Sequence, residues 1–171
     1  MRTLLLCFSL LSACDHASAA TLADAIARTT ANPNIKLKHT LEALGGSLLG
    51  FNGREHGGML LFADLDGQAT AFDIGNVKGF GQVGGRVFIF TGTVYPKNCE
   101  GTVKELTRRA DGQLEVRLVQ DLQGTPSRVR QRGDRMVEFD ITRKNAQGDS
   151  LPSCALLHAD GRIEAVPCAP N

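Results

Sequence analysis

The chain has 171 residues, 19 Lys and Arg against 18 Asp and Glu, a formal net charge of +1 and 42% hydrophobic residues. So balanced a charge excludes a global field that would draw the protein to nucleic acid or to an anionic membrane surface, and the apolar content excludes wholesale disorder. Setting a leader aside leaves one domain's worth of chain, enough to bury a sizeable core.

Met1 and Arg2 precede a short, mostly apolar run over residues 3–13, which ends directly at Cys14. A cation followed by a greasy stretch shorter than the ~20 residues needed to cross a bilayer is the layout of a secretory signal. Two processing sites compete. Ala17-Ser18-Ala19 offers the small-x-small pattern of ordinary signal peptidase and would release a soluble periplasmic protein. Leu11-Ser12-Ala13-Cys14 resembles the bacterial lipobox, which implies cleavage before Cys14 and attachment of that cysteine to a membrane lipid. The organisation expected is a signal peptide over 1–13, a lipidated tether with a short helical segment over 14–46, and a β-rich domain over 47–171.

Residues 21–30 predict a short helix, with Thr21 and Asp24 as a capping box and Pro33 beyond its end. A further helical turn or two is expected over 39–44, with Gly45-Gly46 as the stop. From there the pattern becomes short strands, expected over 59–62, 69–74, 86–91, 102–107, 114–119, 128–132, 136–141, 154–157 and 163–166. Most are separated by Gly, Asp or Pro signals.

A repeat runs through this region. Ala110-Asp111-Gly112-Gln113-Leu114-Glu115 recurs as Ala159-Asp160-Gly161-Arg162-Ile163-Glu164, and the same offset carries Gly84-Gly85-Arg86-Val87-Phe88 onto Gly133-Asp134-Arg135-Met136-Val137. A further Asp-Gly-Gln stands at Asp66-Gly67-Gln68. About four strands fall in each period, which resembles the blades of a β-propeller. The expected fold is therefore mainly β, antiparallel blade-like or meander sheets forming a partial propeller behind a short N-terminal helix, with a β-sandwich or barrel as the alternative. Three units cannot close a ring that takes about 4–8 blades, which leaves an open stack or completion by an oligomer.

Gly79-Phe80-Gly81-Gln82-Val83-Gly84 spells the dinucleotide-binding pattern, but a strand rather than a helix follows it, so no helix N-terminus is available to a pyrophosphate. It reads instead as a connection between blades. Asp64-Leu65-Asp66-Gly67 resembles the opening of a calcium loop; Asp64, Asp66 and Asp73 are the calcium candidates, with a plain hairpin turn as the competing account. His39, His56 and His158 lack metal-ligand spacing, and no two of Glu55, Asp64, Asp73, Glu100 and Glu105 are singled out as a catalytic pair. No cofactor is implied.

Arg128-Val129-Arg130-Gln131-Arg132 places three guanidinium groups on one strand face, suited to carboxylates or phosphates of a partner, or else to keeping an edge strand from pairing. Cys99, Cys154 and Cys168 remain once the leader and Cys14 are accounted for. Cys154 with Cys168 would close one hairpin, worth about 3 kcal/mol by chain entropy. A two-residue turn at Asp160-Gly161, however, sets Cys154 opposite Pro167 and turns Cys168 to the other face, which leaves Cys99 with either partner as the alternative.

Small anchored periplasmic domains of this size resemble, as a class, inhibitors of wall-degrading enzymes and immunity proteins against toxins. That resemblance implies a protein-binding lipoprotein tethered at Cys14, with Arg128, Arg130 and Arg132 facing an enzyme or toxin. The alternatives are an accessory structural lipoprotein of an envelope assembly and, third, a hydrolase. Its partners would be another protein and, through the lipid, the membrane; nucleic acid is not among them.

Overall fold

A computed structural model describes residues 20–94, 99–145 and 147–168. The leader, Cys14 and the signal-peptidase site at Ala17-Ser18-Ala19 lie outside these residues. Leu22–Thr29 form helix α1, which starts as the capping box predicts: the Thr21 hydroxyl oxygen accepts the Asp24 N–H at 3.2 Å and its O–H donates to the Asp24 carboxylate at 2.8 Å.

Three antiparallel sheets follow, each built from four consecutive strands. The first holds β1 (Lys36–Ala43), β2 (Gly46–Asn52), β3 (Leu60–Asp64) and β4 (Ala69–Phe72). The second holds β5 (Val77–Val83), β6 (Arg86–Val94), β7 (Cys99–Arg108) and β8 (Leu114–Leu122). The third holds β9 (Thr125–Arg132), β10 (Met136–Lys144), β11 (Ser150–His158) and β12 (Ile163–Val166). The protein is mainly β, with blade-like sheets in an open stack. Among the described residues, no helix is long and apolar enough to cross a membrane.

Residues 39–44 differ from expectation. They lie in and just beyond β1, which pairs with β2 down to Ala43↔Gly46, while Leu44 (φ 55°) and Gly45 (φ 70°) make a two-residue turn. Two successive positive φ angles match the primed turns that suit strand twist, so Gly45 tightens a hairpin where a helix stop was expected. In the second half of β1, half-buried His39, Leu41 and Ala43 alternate with exposed neighbours, the period of a strand. The β structure thus begins at Lys36, ahead of residue 47.

The sheets pack face to face. Leu48, Leu60 and Phe62 of the first sheet meet Val77, Val87, Ile89 and Leu106 of the second. On its opposite face the second sheet sets Val83, Phe88, Phe90 and Val103 against Val137, Phe139, Ile141 and Leu157 of the third, with the Phe90 and Phe139 rings 4.8 Å apart. Burying each of these larger side chains contributes about 1.5–3 kcal/mol, so the two inter-sheet layers dominate stability. The outer face of the first sheet, at Leu49, Phe51, Leu61 and Ala63, is covered by α1 through Ala25, Leu22 and Ile26.

The glycine pattern at 79–84 has a packing cause. It is not a connection between sheets but strand β5 itself, running into the Gly84-Gly85 turn. A Cβ on Gly79 would stand 2.7 Å from Val129, and one on Gly81 2.5 Å from Val137. Both glycines let the third sheet close onto β5.

The sequence repeat coincides with equivalent hairpins. Asp66-Gly67, Asp111-Gly112 and Asp160-Gly161 each sit in the turn between the third and fourth strand of a sheet. Each is a three-residue loop closed by Asp64 N–H to Gln68 O, Arg109 N–H to Gln113 O or His158 N–H to Arg162 O, with glycine φ values of 76°, 83° and 89°. The third residue also resets the cysteine register. Cys154 faces Val166, not Pro167, so Cys168 two residues on returns to the same face, and the two cysteines are disulfide-linked with Cα atoms 5.1 Å apart. Cys99 is a half-buried free thiol.

Candidate functional site

Among the described residues, no sheet is stacked on the outer face of the third sheet. Here β9 pairs with β10 through Met136↔Arg132 and Glu138↔Arg130, then slips by one residue before Asp140↔Ser127. The slip is a bulge that contains Arg128, held at φ 44°. Opposite the arginines, β10 presents Glu138 and Asp140, which alternate with the inward Val137, Phe139 and Ile141.

The five charges form one lattice. Arg128 Nε bonds Asp140 Oδ2. Arg130 Nη2 spans both carboxylates, 2.5 Å from Glu138 Oε1 and 2.9 Å from Asp140 Oδ1. Arg132 Nε donates to Glu138 Oε2 at 2.6 Å. The carboxylates lie beneath, with side chains 11% and 5% exposed for Glu138 and Asp140, while those of Arg128, Arg130 and Arg132 are 59%, 38% and 53% exposed. Hydrogen bonds from Arg132 and then Arg130 hold the Glu138 carboxyl below the usual carboxylate range, outweighing desolvation. Glu138 in turn raises Arg130 above the ordinary guanidinium range. Chemically the face presents guanidinium groups pre-oriented by buried anions, three cations over two carboxylates.

The structure brings Arg128, Arg130 and Arg132 together, Arg130 and Arg132 by strand alternation and Arg128 through the bulge; Glu138 and Asp140, their buried partners, escaped the sequence reading. The signal was there, because charged residues at every second position of an otherwise apolar Val137–Ile141 run imply a charged outer face. Cys154 and Cys168 sit on this same sheet. The other residues singled out do not join it. Glu105 is held by Arg86 through two 2.7 Å bonds. Asp64 uses one carboxylate oxygen to accept the N–H groups of Asp66 and Gln68, at 3.0 and 2.8 Å, so it caps its own turn. Asp64, Asp66 and Asp73 are not gathered into a cage: among the described residues, no group of three His, Cys, Asp or Glu side chains is placed to hold a metal ion.

A second site was missed altogether. Where β1, β2 and β5 meet, Lys36, Lys38, His39, Arg54, His56 and Lys78 line a cleft of about 590 Å³. These residues come from three separate stretches, and two of the strands that carry them are glycine-laced or were expected to be helical, so only the fold reveals the cluster.

No protein-family model matches the chain. The curated proteins yield no match either. Among solved structures the chain is similar to a catalytically inactive variant of virginiamycin B lyase from Staphylococcus aureus, solved with quinupristin, at 12% identity and a TM-score of 0.31 over 82% of this chain and 73% of that one. At that TM-score the likeness supports nothing about activity, and the description of the fold rests on the three sheets.

Proposed function

We propose that the protein is a periplasmic protein-binding module, held to a membrane by lipid on Cys14, that acts as an inhibitor or immunity protein against a cell-wall-degrading enzyme or toxin. The observation that supports this reading is the layered charge of the third sheet: guanidinium groups outermost, carboxylates 11% and 5% exposed beneath them. Wall-cleaving glycosidases work with paired carboxylates, and an acidic cleft is the natural complement of such a face. Because Glu138 and Asp140 already fix the arginine side chains, less rotamer freedom is lost on docking. Arg130 ties the two carboxylates together, so the more exposed Arg132 is the better probe of a partner.

The test uses the full chain as bait in envelope extracts and in lysates of neighbouring bacteria. One stoichiometric partner with a wall-cutting or toxin domain is expected, with Arg132→Gln weakening its capture at least about tenfold through loss of a charge-assisted contact. Recovery of an envelope complex, unaffected by Arg132→Gln, would overturn the inhibitor reading in favour of an assembly role for the unstacked sheet.

A further inference from the structure

The cleft between the first two sheets is unusual in its charge. Its lining carries four permanent cations, Lys36, Lys38, Arg54 and Lys78, and one acidic residue, Glu55, whose carboxylate lies 3.5 Å from His56. Among the described residues, none of the four cations forms an ion pair. Burial and the nearby Arg54 hold the Lys78 ammonium below its ordinary range; burial, Lys78 and Lys38 do the same to His39. Four cations gathered around one carboxylate, which itself faces His56, repel on balance, and an anion occupying the cleft would relieve that repulsion.

Local backbone supports the cluster. Lys38 and Lys78 occupy the same place in their sheets, each the extra residue at a register slip in the first strand, between Leu37 and His39 and between Val77 and Gly79. Bulges re-aim side chains, and both of these carry an ammonium to one cleft. Arg54 is held in the left-handed region at φ 56°. Its N–H donates to Asn52 Oδ1 at 3.0 Å, and its carbonyl accepts from Asn76 Nδ2 at 2.6 Å. The Asn76 side chain also accepts the Gly53 N–H at 2.9 Å, and Asn76 is only 2% exposed. A non-glycine residue kept in a strained conformation by a buried amide is a device seen at binding sites.

We infer that this cleft binds a compact anion carrying phosphate groups, through Lys38, Arg54 and Lys78, with His39 and His56 as additional donors. Several separated point charges, rather than a single planar fork, suit the dispersed oxygens of a phosphate group or a pair of them. The site is independent of the arginine face, and neither its success nor its failure bears on the inhibitor reading.

The experiment titrates the full chain by calorimetry and amide NMR with two probes, inorganic pyrophosphate for a free phosphate and glycerophosphoglycerol for a phospholipid headgroup. It is run in about 10 mM salt, where the screening length is about 30 Å. Saturable one-to-one binding of at least one probe is expected, with shifts concentrated at Lys38, His39, Arg54 and Lys78; the tighter probe identifies the source of the phosphate. Lys78→Gln should weaken that binding at least about tenfold, while Arg132→Gln on the third sheet leaves it unchanged. The free Lys78→Gln protein should melt no lower than the parent, because a repelling charge has been removed, and this separates lost binding from lost folding. Binding of neither probe, or equal sensitivity to Lys78→Gln and Arg132→Gln, would overturn the inference.

Discussion

At one end of the sheet stack, α1 lays Leu22, Ala25 and Ile26 over Leu49, Phe51, Leu61 and Ala63, and the first sheet is sealed by apolar burial. At the other end, among the described residues, no element is packed over the third sheet, and two buried carboxylates under three arginines occupy the equivalent position. Both ends solve one problem, since a sheet face without a neighbour must be covered or made polar. The solutions differ in what they respond to. Apolar burial does not titrate and is not screened, whereas an ion-pair lattice weakens as pH falls and as salt rises.

The largest effect should come from the apolar end. Phe51 is fully buried beneath α1, and Phe51→Ala should lower stability by about 3–5 kcal/mol in denaturant unfolding. A loss below about 1 kcal/mol would mean that α1 is a loosely attached flap rather than the cover of the first sheet. The disulfide comes next and belongs to the opposite end. Its partners are 14 residues apart, so Cys168→Ala should reduce stability by about 3 kcal/mol in the chain-entropy account. Hydrogen exchange should show β12 losing protection while β2 keeps it. Equal loss in both would show that the two ends unfold as one unit and that the contrast between them is only compositional.

How much of this could be read from the sequence differs between the same two regions. The third sheet was legible because β10, β11 and β12 alternate cleanly or carry β-branched and apolar runs, and because the Asp-Gly turns repeat. The first sheet was not, because β1 reads as a charged segment with a helical spacing and β2 places Gly46 and Gly50 where side chains would signal a strand. The reason is packing: a Cβ on Gly50 would stand 2.5 Å from Val77, so the close approach of β5 removes the residues that periodicity needs. β5 was missed on the same ground, through Gly79 and Gly81. The cationic cleft, assembled from β1, the turn after β2 and β5, therefore stayed hidden along with its strands. The cysteine register failed for a smaller reason. One extra turn residue, with Gly161 at φ 89°, reverses the face on which Cys168 lands.

The smallest of these effects separates the ends most selectively. Glu138 is held by Arg132 and Arg130 below the carboxylate value of about 4.3 expected in the unfolded chain. Its contribution is therefore complete above that unfolded value and is lost as pH falls through the lower folded value, a window below about pH 4. The helix-covered face contributes nothing there, because its contacts are apolar. Glu105 and Glu164 are lowered in the same direction by Arg86 and Arg162, so the whole protein loses stability in acid and only a difference between variants isolates the lattice. Arg132→Gln should flatten the acid dependence of stability relative to the parent, and about 1 M salt should shrink the gap between them by screening the exposed arginine side of each pair. Ala25→Gly, in the middle of α1 and packed only against apolar side chains, costs about 1 kcal/mol and should shift the curve without changing its slope. Parallel acid curves for the parent and Arg132→Gln would show that Glu138 is held by its place in the sheet, with the arginine above it contributing surface charge alone.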